Sequence, residues 1–433
     1  MLLKSLGLWM DQGTGKTITS LKILGNWYKR DKVNNLLILA PKSVLTVWED
    51  EIEKFLSIPY TISKDIKDVL KPKKIDNGIF ICLAANYEIL KRFKGKSNKL
   101  KNFYDMVIAD ESHRIKNPNS IQSKQAYFLS RGSSIKLALS GTPKGNSDFD
   151  FFSQYRFIND EIFGAKTKLF RDKYFDPCGW MGHGVKLKES KKDEFYSLVN
   201  QYSFRVTKQE ALELPPLVEK NIWVELSPKT QKIYDKLKKE SLIEIGLKTI
   251  VADLSITLVT KLQQICCGFI YDEDKEPILI GDEKLKVLKD LLQDHNNEKV
   301  VIFCKYTWEI NTLKRALSKY RILIYDGNSS IDEWKKFKTN KYDILITQIK
   351  KGGTGLNLQN ASVVIFFSLS YSYIDLSQAK DRVYRNGQLN KVTIYYLLAK
   401  NTIEKNILKS LNNKKEGAKA ILEDYRLDQL NGE

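Results

Sequence analysis

The segment GLWMDQGTGKT, Gly7 to Thr17, places an apolar run (Leu6, Leu8, Trp9, Met10) directly before a glycine turn. After the turn, TITSLKILGNWYKR is apolar at Ile18, Leu21, Leu24 and Tyr28, which is the spacing of an amphipathic helix. Strand, glycine turn and helix in this order predict an α/β fold. Lacking side chains, Gly13 and Gly15 let the backbone N–H groups around Thr14 close on phosphate oxygens, and the helix N-terminus adds the positive end of its dipole. Lys16 is then placed to reach the β and γ phosphates, and Thr17 to offer its hydroxyl to Mg²⁺. The full phosphate-loop pattern, Gly-x-x-x-x-Gly-Lys-Ser/Thr, asks for glycine where Met10 stands. On these residues alone, a glycine turn with a chance lysine remains the alternative.

The chain of 433 residues, 42% hydrophobic, is long enough for two domain-sized cores and is neither fibrous nor disordered in composition. Lys and Arg number 71 against 52 Asp and Glu, a formal charge of +19 that favours a polyanion such as nucleic acid. The many Lys, Ile and Asn are also what an AT-rich coding sequence yields. Cys82, Cys178, Cys266, Cys267 and Cys304 form no Cys-x-x-Cys pair, and His113, His183 and His295 lie far apart, so no zinc site is expected. Scattered cysteines fit a reducing compartment, and Cys266 and Cys267 read as core residues of a helix. No apolar run reaches the roughly 18 to 20 residues of a membrane span. A signal-peptide cleavage in MLLKSLGLWM would remove the strand before the loop, so a cytoplasmic location is expected.

Further apolar runs alternate with helical stretches: LLILA (Leu36 to Ala40), IFICLA (Ile79 to Ala84), MVIAD (Met106 to Asp110) and KLALS (Lys136 to Ser140). Continuous apolar strands between helices predict a parallel sheet covered on both faces. From Phe149 the pattern gives way to DFFSQYRF and CGWMGHG, which predict a helical and loop insertion. A second alternating series follows the helical SPKTQKIYDKLKKE, with strands at KVVIFC (Lys299 to Cys304), ILIY (Ile322 to Tyr325), DILIT (Asp343 to Thr347), VVIFF (Val363 to Phe367) and VTIYYLL (Val392 to Leu398). The expected organisation is a first lobe over residues 1–148, an insertion and end of that lobe over 149–222, and a second lobe over 223–433.

A phosphate loop serves hydrolysis when a carboxylate pair ends a neighbouring strand, and DMVIADESH offers Asp110 and Glu111 after four apolar residues. The first acid of such a pair holds the Mg²⁺ shell, and the second orients and deprotonates the attacking water. Positive charge for the γ-phosphate is available in QAKDRVYRNGQ, where Arg382 and Arg385 are expected three apart on one face of a helix beginning near Asp375.

Taken in order, the loop, DESH, LSGTP and QAKDRVYRNGQ resemble superfamily 2 helicase-type motors of the DEAD/DEAH-box kind, specifically the Swi/Snf-type ATPases. LILAPKSVLTVWEDE is similar to that family's first DNA-contact motif, LSGTPKGN to its coupling motif, and YSFRVTKQEALELPP to the stretch that closes its first lobe. VELSPKTQKIYDKL, KVVIFCKYTWEINTL, YDGN and KKGGTGLNLQNASVVIF match the second lobe in the expected order. The Gly-Gly-Thr-Gly-Leu-Asn-Leu run and the Arg-x-Gly-Gln ending separate this family from strand-separating helicases.

The resemblance implies two tandem RecA-like domains, each a mostly parallel sheet with helices on both faces, that sandwich ATP and close across double-stranded DNA. It implies that His113, Ser140 and Thr142 couple the lobes, that Gly353 to Leu356 sense DNA and nucleotide, and that Gln378, Arg382 and Arg385 complete the closed site. Pro41, Lys42 and Ser43, with Gly352 and Gly353, are implied as DNA contacts. Members typically translocate on duplex DNA without unwinding it, which suits backbone tracking better than base readout.

Two departures stand out. The family usually carries an adenine-reading glutamine about one short helix before the phosphate loop, and this sequence starts after that point: either the start is truncated, or adenine is held only by stacking and shape, with weaker affinity or a looser preference for ATP. SLSYSYIDLSQ stands where the family has an acidic residue and Trp-Asn-Pro, for which a modest change in lobe coupling is expected. The lack of a histone-reading, zinc or nuclease module suggests a bacterial or phage motor over a nuclear chromatin remodeller, with a protein partner setting its target. An RNA or single-stranded-DNA helicase and a low-turnover, nucleotide-gated DNA clamp are the alternatives. The GWMGHG stretch is open between a DNA-contact loop and a packing loop.

Overall fold

The computed structural model describes residues 4–70, 72–94, 104–145, 147–178, 184–247, 252–330, 332–352 and 356–413. Two compact units divide after Leu212. In the first, β1 (Ser5–Met10), β2 (Asn35–Ala40), β3 (Tyr60–Ser63), β4 (Ile79–Ala85), β5 (Met106–Asp110) and β6 (Ile135–Leu139) are separated by helices and turns. An antiparallel hairpin, β7 (Phe175–Cys178) with β8 (Gly184–Leu187), precedes β9 (Ser203–Val206). The main sheet runs β3-β4-β2-β5-β6-β1-β9, and every neighbouring pair is parallel.

Strand side chains alternate between two cores, one on each face of this sheet. Leu36, Ile38, Ile79, Ile81, Met106 and Ile108 pack with Leu21 and Leu24 of the helix Lys16–Tyr28 and with Trp48 and Ile52 of the helix Leu45–Phe55. Leu37, Leu39, Phe80, Cys82, Val107 and Ala109 pack on the other face against Tyr87, Leu90 and Ala126. Both faces are covered, which is why these strands read as unbroken apolar runs.

The second unit contains β10 (Leu217–Val224), the hairpin β11 (Phe269–Tyr271) with β12 (Pro277–Leu279), then β13 (Val300–Cys304), β14 (Ile322–Tyr325), β15 (Ile344–Gln348), β16 (Val363–Phe366) and β17 (Val392–Ala399). Its sheet, β10-β17-β16-β13-β15-β14, is again parallel throughout. The expected α/β class, with two parallel sheets each sandwiched by helices, is what the chain adopts.

The stretch expected as an insertion is more closely built in than its irregular pattern suggested. Helix Phe151–Ile158 is buried along its whole length, and Phe151 and Tyr155 pack against Trp9 of β1. Phe163, Phe170, Tyr174 and Phe195 complete an aromatic cluster on the same core. The strand β9 returns to the first sheet beside β1. The division at Leu212 precedes the expected start of the second lobe at residue 223 because β10 pairs along the full length of β17. The Gly179 to His183 part of the glycine-rich patch lies outside the described residues.

All five cysteines are free thiols, and Cys266 and Cys267 are buried. Among the described residues no helix is long and apolar enough to cross a membrane.

A buried ion pair fastens the second unit. Lys284, on the helix Glu283–Asp294, lies 2.7 Å from Glu404, and neither side chain is more than 1% exposed. The ammonium also donates to the Phe367 carbonyl, and Glu404 accepts from the Ala399 N–H, so the pair joins a helix to the ends of β16 and β17. Burial pulls the lysine pKa down, but the Glu404 carboxylate more than reverses this and the amine stays charged. We predict that Lys284→Met, which strands a buried carboxylate, costs about 3–5 kcal/mol, and that adding Glu404→Leu restores much of it. Urea unfolding followed on the second unit reads both, and an unchanged midpoint for Lys284→Met would show that the pair is not a fastener.

Candidate active site

In a parallel sheet all C-terminal strand ends lie along one edge, the usual place for ligands in open α/β folds. On the first sheet that edge carries the glycine loop after β1, Pro41 and Lys42 after β2, Asn86 after β4, Asp110 and Glu111 at β5, Ser140 to Thr142 after β6, and Thr207 with Lys208 after β9. Topology thus assembles residues that are up to two hundred positions apart in sequence order.

Gly13 (φ 83°) and Gly15 (φ 95°) are both left-handed, a conformation that admits glycine at little cost. Gly15 caps the helix Lys16–Tyr28 without a side-chain hydrogen bond, and no acidic residue occupies the first turn, so the helix end is presented to the loop. The Lys16 ammonium donates to the carbonyls of Met10 (2.8 Å) and Asp11 (3.0 Å), and the Thr14 hydroxyl to Asp11 (2.8 Å). Thr17 follows in the first turn of the helix. Asp11 anchors the loop to the far end of the unit: its N–H donates to the Val206 carbonyl and its carboxylate accepts from the Lys208 N–H (3.0 Å). The Arg205 to Lys208 stretch therefore supports the loop from the neighbouring strand end.

Asp110 is buried, and its two carboxylate oxygens accept from the Trp48 indole N–H (2.9 Å) and the Glu111 N–H (2.8 Å). Burial first, and the Glu111 charge second, push its pKa up to about 6, while Trp48 and Lys16 act in the opposite direction. Lys16 and Asp110 are thus close enough to interact electrostatically. Glu111 has a left-handed backbone (φ 51°, ψ 49°), uncommon for a side-chain-bearing residue and typical of functional turns.

The Nδ1 atom of His113 lies 3.4 Å from both the Glu111 carboxylate and the Ser140 hydroxyl. Burial, followed by the nearby Arg114 and Lys116 charges, pushes its pKa down to about 3, so at neutral pH the ring is uncharged. Ser140 in turn accepts from the Thr142 N–H (3.1 Å). Glu111, His113, Ser140 and Thr142 are therefore one connected group. Gln154 braces it from below, accepting from Ser112 and donating to the Pro143 carbonyl. Trp48, Tyr87 and Gln154 are the residues that sequence reasoning missed here.

In the second unit, Gln378 and Arg382 are buried on the helix Tyr373–Val383. Arg385 lies beyond the end of that helix, so the expected placement of both arginines on one helical face does not hold. The chain leaves the helix at Tyr384 and turns through Gly387, whose φ of 89° requires glycine. The turn is stitched to the Leu356 to Ala361 segment: Arg385 Nη1 lies 3.5 Å from the Leu356 carbonyl, Leu358 N–H donates to the Arg382 carbonyl, and Gln388 donates to Ala361. The Leu356 to Ala361 segment and the arginine motif are one structural piece. Gly352 ends the short helix Ile349–Gly352, and Gly353 to Gly355 lie outside the described residues. Pro41 caps the single turn Lys42–Val44, Lys42 is exposed, and nothing is described of the Ser43 side chain.

Residues 5–269 match the SNF2-related domain, and residues 283–387 match the helicase conserved C-terminal domain. The chain belongs to the SNF2-related family. An uncharacterized ATP-dependent helicase of Mycoplasma genitalium is 31% identical to this SNF2-related chain over 428 residues, covering 95% of this chain and 40% of that protein. A chromatin structure-remodeling complex subunit of Schizosaccharomyces pombe is 26% identical, covering 92% and 36%. A RAD54-like DNA repair and recombination protein of Drosophila pseudoobscura is 25% identical, covering 96% and 60%. The SNF2-related chain thus spans between 36% and 60% of the length of these relatives.

Proposed function

We propose that the chain is an ATP-hydrolysing motor, stimulated by double-stranded DNA and moving along it. The observation that carries this is what one sheet edge brings together: the Lys16 loop, the Asp110 and Glu111 pair within its electrostatic reach, and the Ser140 to Thr142 turn reached from Glu111 through His113. Gly13 to Thr17 hold the phosphates by backbone N–H groups, and Lys16 transfers from the loop carbonyls to the phosphate oxygens. Glu111 takes the proton of the attacking water, while Arg382 and Arg385 offset the charge that develops on the γ-phosphate. Gln378 and Gly353 contribute to nucleotide binding.

The donor set fits Mg²⁺. Among the described residues no three acidic, histidine or cysteine side chains cluster as a self-sufficient metal site. Mg²⁺ asks for less than that: one or two protein oxygens, here Asp110 and the Thr17 hydroxyl, with phosphate oxygens and water completing the shell. A buried carboxylate with a raised pKa is also one that a cation would stabilise in its charged form. When bound, the ion neutralises phosphate charge as a Lewis acid.

DNA is the proposed track because of the +19 charge, the exposed Lys42 at the loop edge and the family's relatives in repair. Pro41, Lys42, Ser43, Gly352 and Gly353 meet phosphates, which gives binding without sequence preference. A protein partner sets the target, and the free thiols suit a reducing cytoplasm.

The test is steady-state ATP hydrolysis with no nucleic acid, duplex DNA, single-stranded DNA or RNA, with Glu111→Gln as the blank. Strongest stimulation by duplex is expected. Stronger stimulation by RNA or single strands, with strand separation, would make the chain a helicase, and hydrolysis no faster than the blank would make it a clamp.

A further inference from the structure

We infer that Trp48 is a positioning residue that ties the turn at Pro41 to Val44 to the carboxylate of Asp110. This rests on the proposed function, in which that turn meets DNA and that carboxylate holds Mg²⁺. Trp48 sits one turn into the helix Leu45–Phe55, which continues directly from the turn Lys42–Val44. Its indole is 1% exposed, packed between the helix and the sheet with Leu45 and Ile52, and its N–H donates to Asp110 Oδ2 across 62 residues of sequence. An indole nitrogen can only donate, and a buried one left without an acceptor costs free energy. Movement of the turn is therefore transmitted through a short rigid helix to one specific carboxylate oxygen.

A second tie runs parallel to the first. Asn86, in a left-handed conformation at the end of β4, accepts from the Lys42 N–H through its side chain (3.4 Å) and donates its own N–H to the Ala40 carbonyl (2.9 Å). The next residue, Tyr87, is buried and donates its hydroxyl to the Asp110 carbonyl (2.7 Å), with a longer contact to Leu39 (3.3 Å). The same turn is thus held to both the side chain and the main chain of Asp110. An outer hydrogen bond of this kind orients a metal-holding carboxylate, and its loss typically weakens metal binding roughly 10- to 100-fold.

The test measures binding of ADP by calorimetry, with Mg²⁺ and with EDTA, for the wild type, Trp48→Phe, Trp48→His and Asp110→Asn. Trp48→Phe keeps most of the ring volume and loses the donor; Trp48→His keeps a ring N–H at similar reach and leaves the larger void. The gain in affinity that Mg²⁺ confers is expected to fall about tenfold or more in Trp48→Phe, to be better kept in Trp48→His, and binding in EDTA to be unchanged. Packing alone predicts the reverse order of the two variants, and that order would overturn the inference.

A wild-type Mg²⁺ gain that survives intact in Trp48→Phe overturns the Trp48 inference alone. No gain in the wild type, with Asp110→Asn equally silent, overturns the metal role of Asp110 beneath it. Duplex-stimulated turnover of Trp48→Phe should also fall by a larger factor than its turnover without DNA, and equal falls would break the tie to the DNA-facing turn. Should neither Trp48 variant fold, Tyr87→Phe, which removes one hydroxyl, is expected to show the same two effects in smaller measure, and unchanged values would overturn the shared tie.

Discussion

Glu111→Gln is expected to bind ATP with Mg²⁺ about as well as the wild type and to hydrolyse it roughly 10²- to 10⁴-fold more slowly, the range of a positioned general base. Glutamine matches glutamate in shape, so the left-handed turn after β5 and the contact toward His113 have no steric reason to change. What is lost is the capacity to accept a proton. His113 cannot substitute, because burial keeps it from taking a proton near neutral pH. Single-turnover hydrolysis beside equilibrium binding of a non-hydrolysable ATP analogue separates the two effects. Near-normal single-turnover rates would remove Glu111 from the base role and leave it as a link between Asp110 and Ser140.

The strands legible in the sequence are mainly those inside the sheets. β2, β4 and β5 of the first sheet, and β13, β15 and β16 of the second, have neighbours on both sides and helices on both faces, so their residues are apolar without interruption. Within these two sheets the strands that escaped notice, β3, β9 and β10, stand at the edges, and the two short hairpins, β7 with β8 and β11 with β12, went unread as well. YTIS, SFRV and LVEKNIWV are only partly buried and carry polar residues accordingly. The aromatic stretch from Phe149 also resisted reading, since its helix buries the polar Ser153, Gln154 and Arg156 together with the aromatics, which a pattern of apolar and polar residues does not reveal.

The site divides in the same way. Gly13, Gly15, Lys16, Thr17, Asp110 and Glu111 were visible because phosphate chemistry fixes residue types at short spacing. Trp48, Tyr87 and Gln154 were not, because each meets the site through a tertiary contact 23 to 62 residues away and belongs to an ordinary helix or turn in its own neighbourhood. The misplaced helical face of Arg382 and Arg385 did carry a local signal. Asn386-Gly387 is a turn dipeptide, and it ends the helix before Arg385 can share a face with Arg382.

That turn makes Arg385 the sharper probe of the two arginines. Arg382 is buried on the helix, so its removal would disturb packing as well as charge. The turn bearing Arg385 has shorter ties than the 3.5 Å contact of its guanidinium with the Leu356 carbonyl: Tyr384 donates to the Pro215 carbonyl (2.9 Å), Gln388 donates to Ala361 (2.8 Å), and Gly387 lies against the Gln359 side chain. Arg385→Ala is therefore expected to leave the second unit folded and duplex binding within about twofold, while DNA-stimulated turnover falls about 10³-fold or more, as for loss of an arginine finger. Arg385→Lys should recover little, because an ammonium cannot reproduce the planar, forked donor set that a transferring phosphoryl group requires. Fluorescence anisotropy on labelled duplex, run beside hydrolysis on the same preparations, reads both quantities. Loss of duplex affinity with residual turnover intact would place Arg385 on the DNA and return the γ-phosphate role to Arg382 alone.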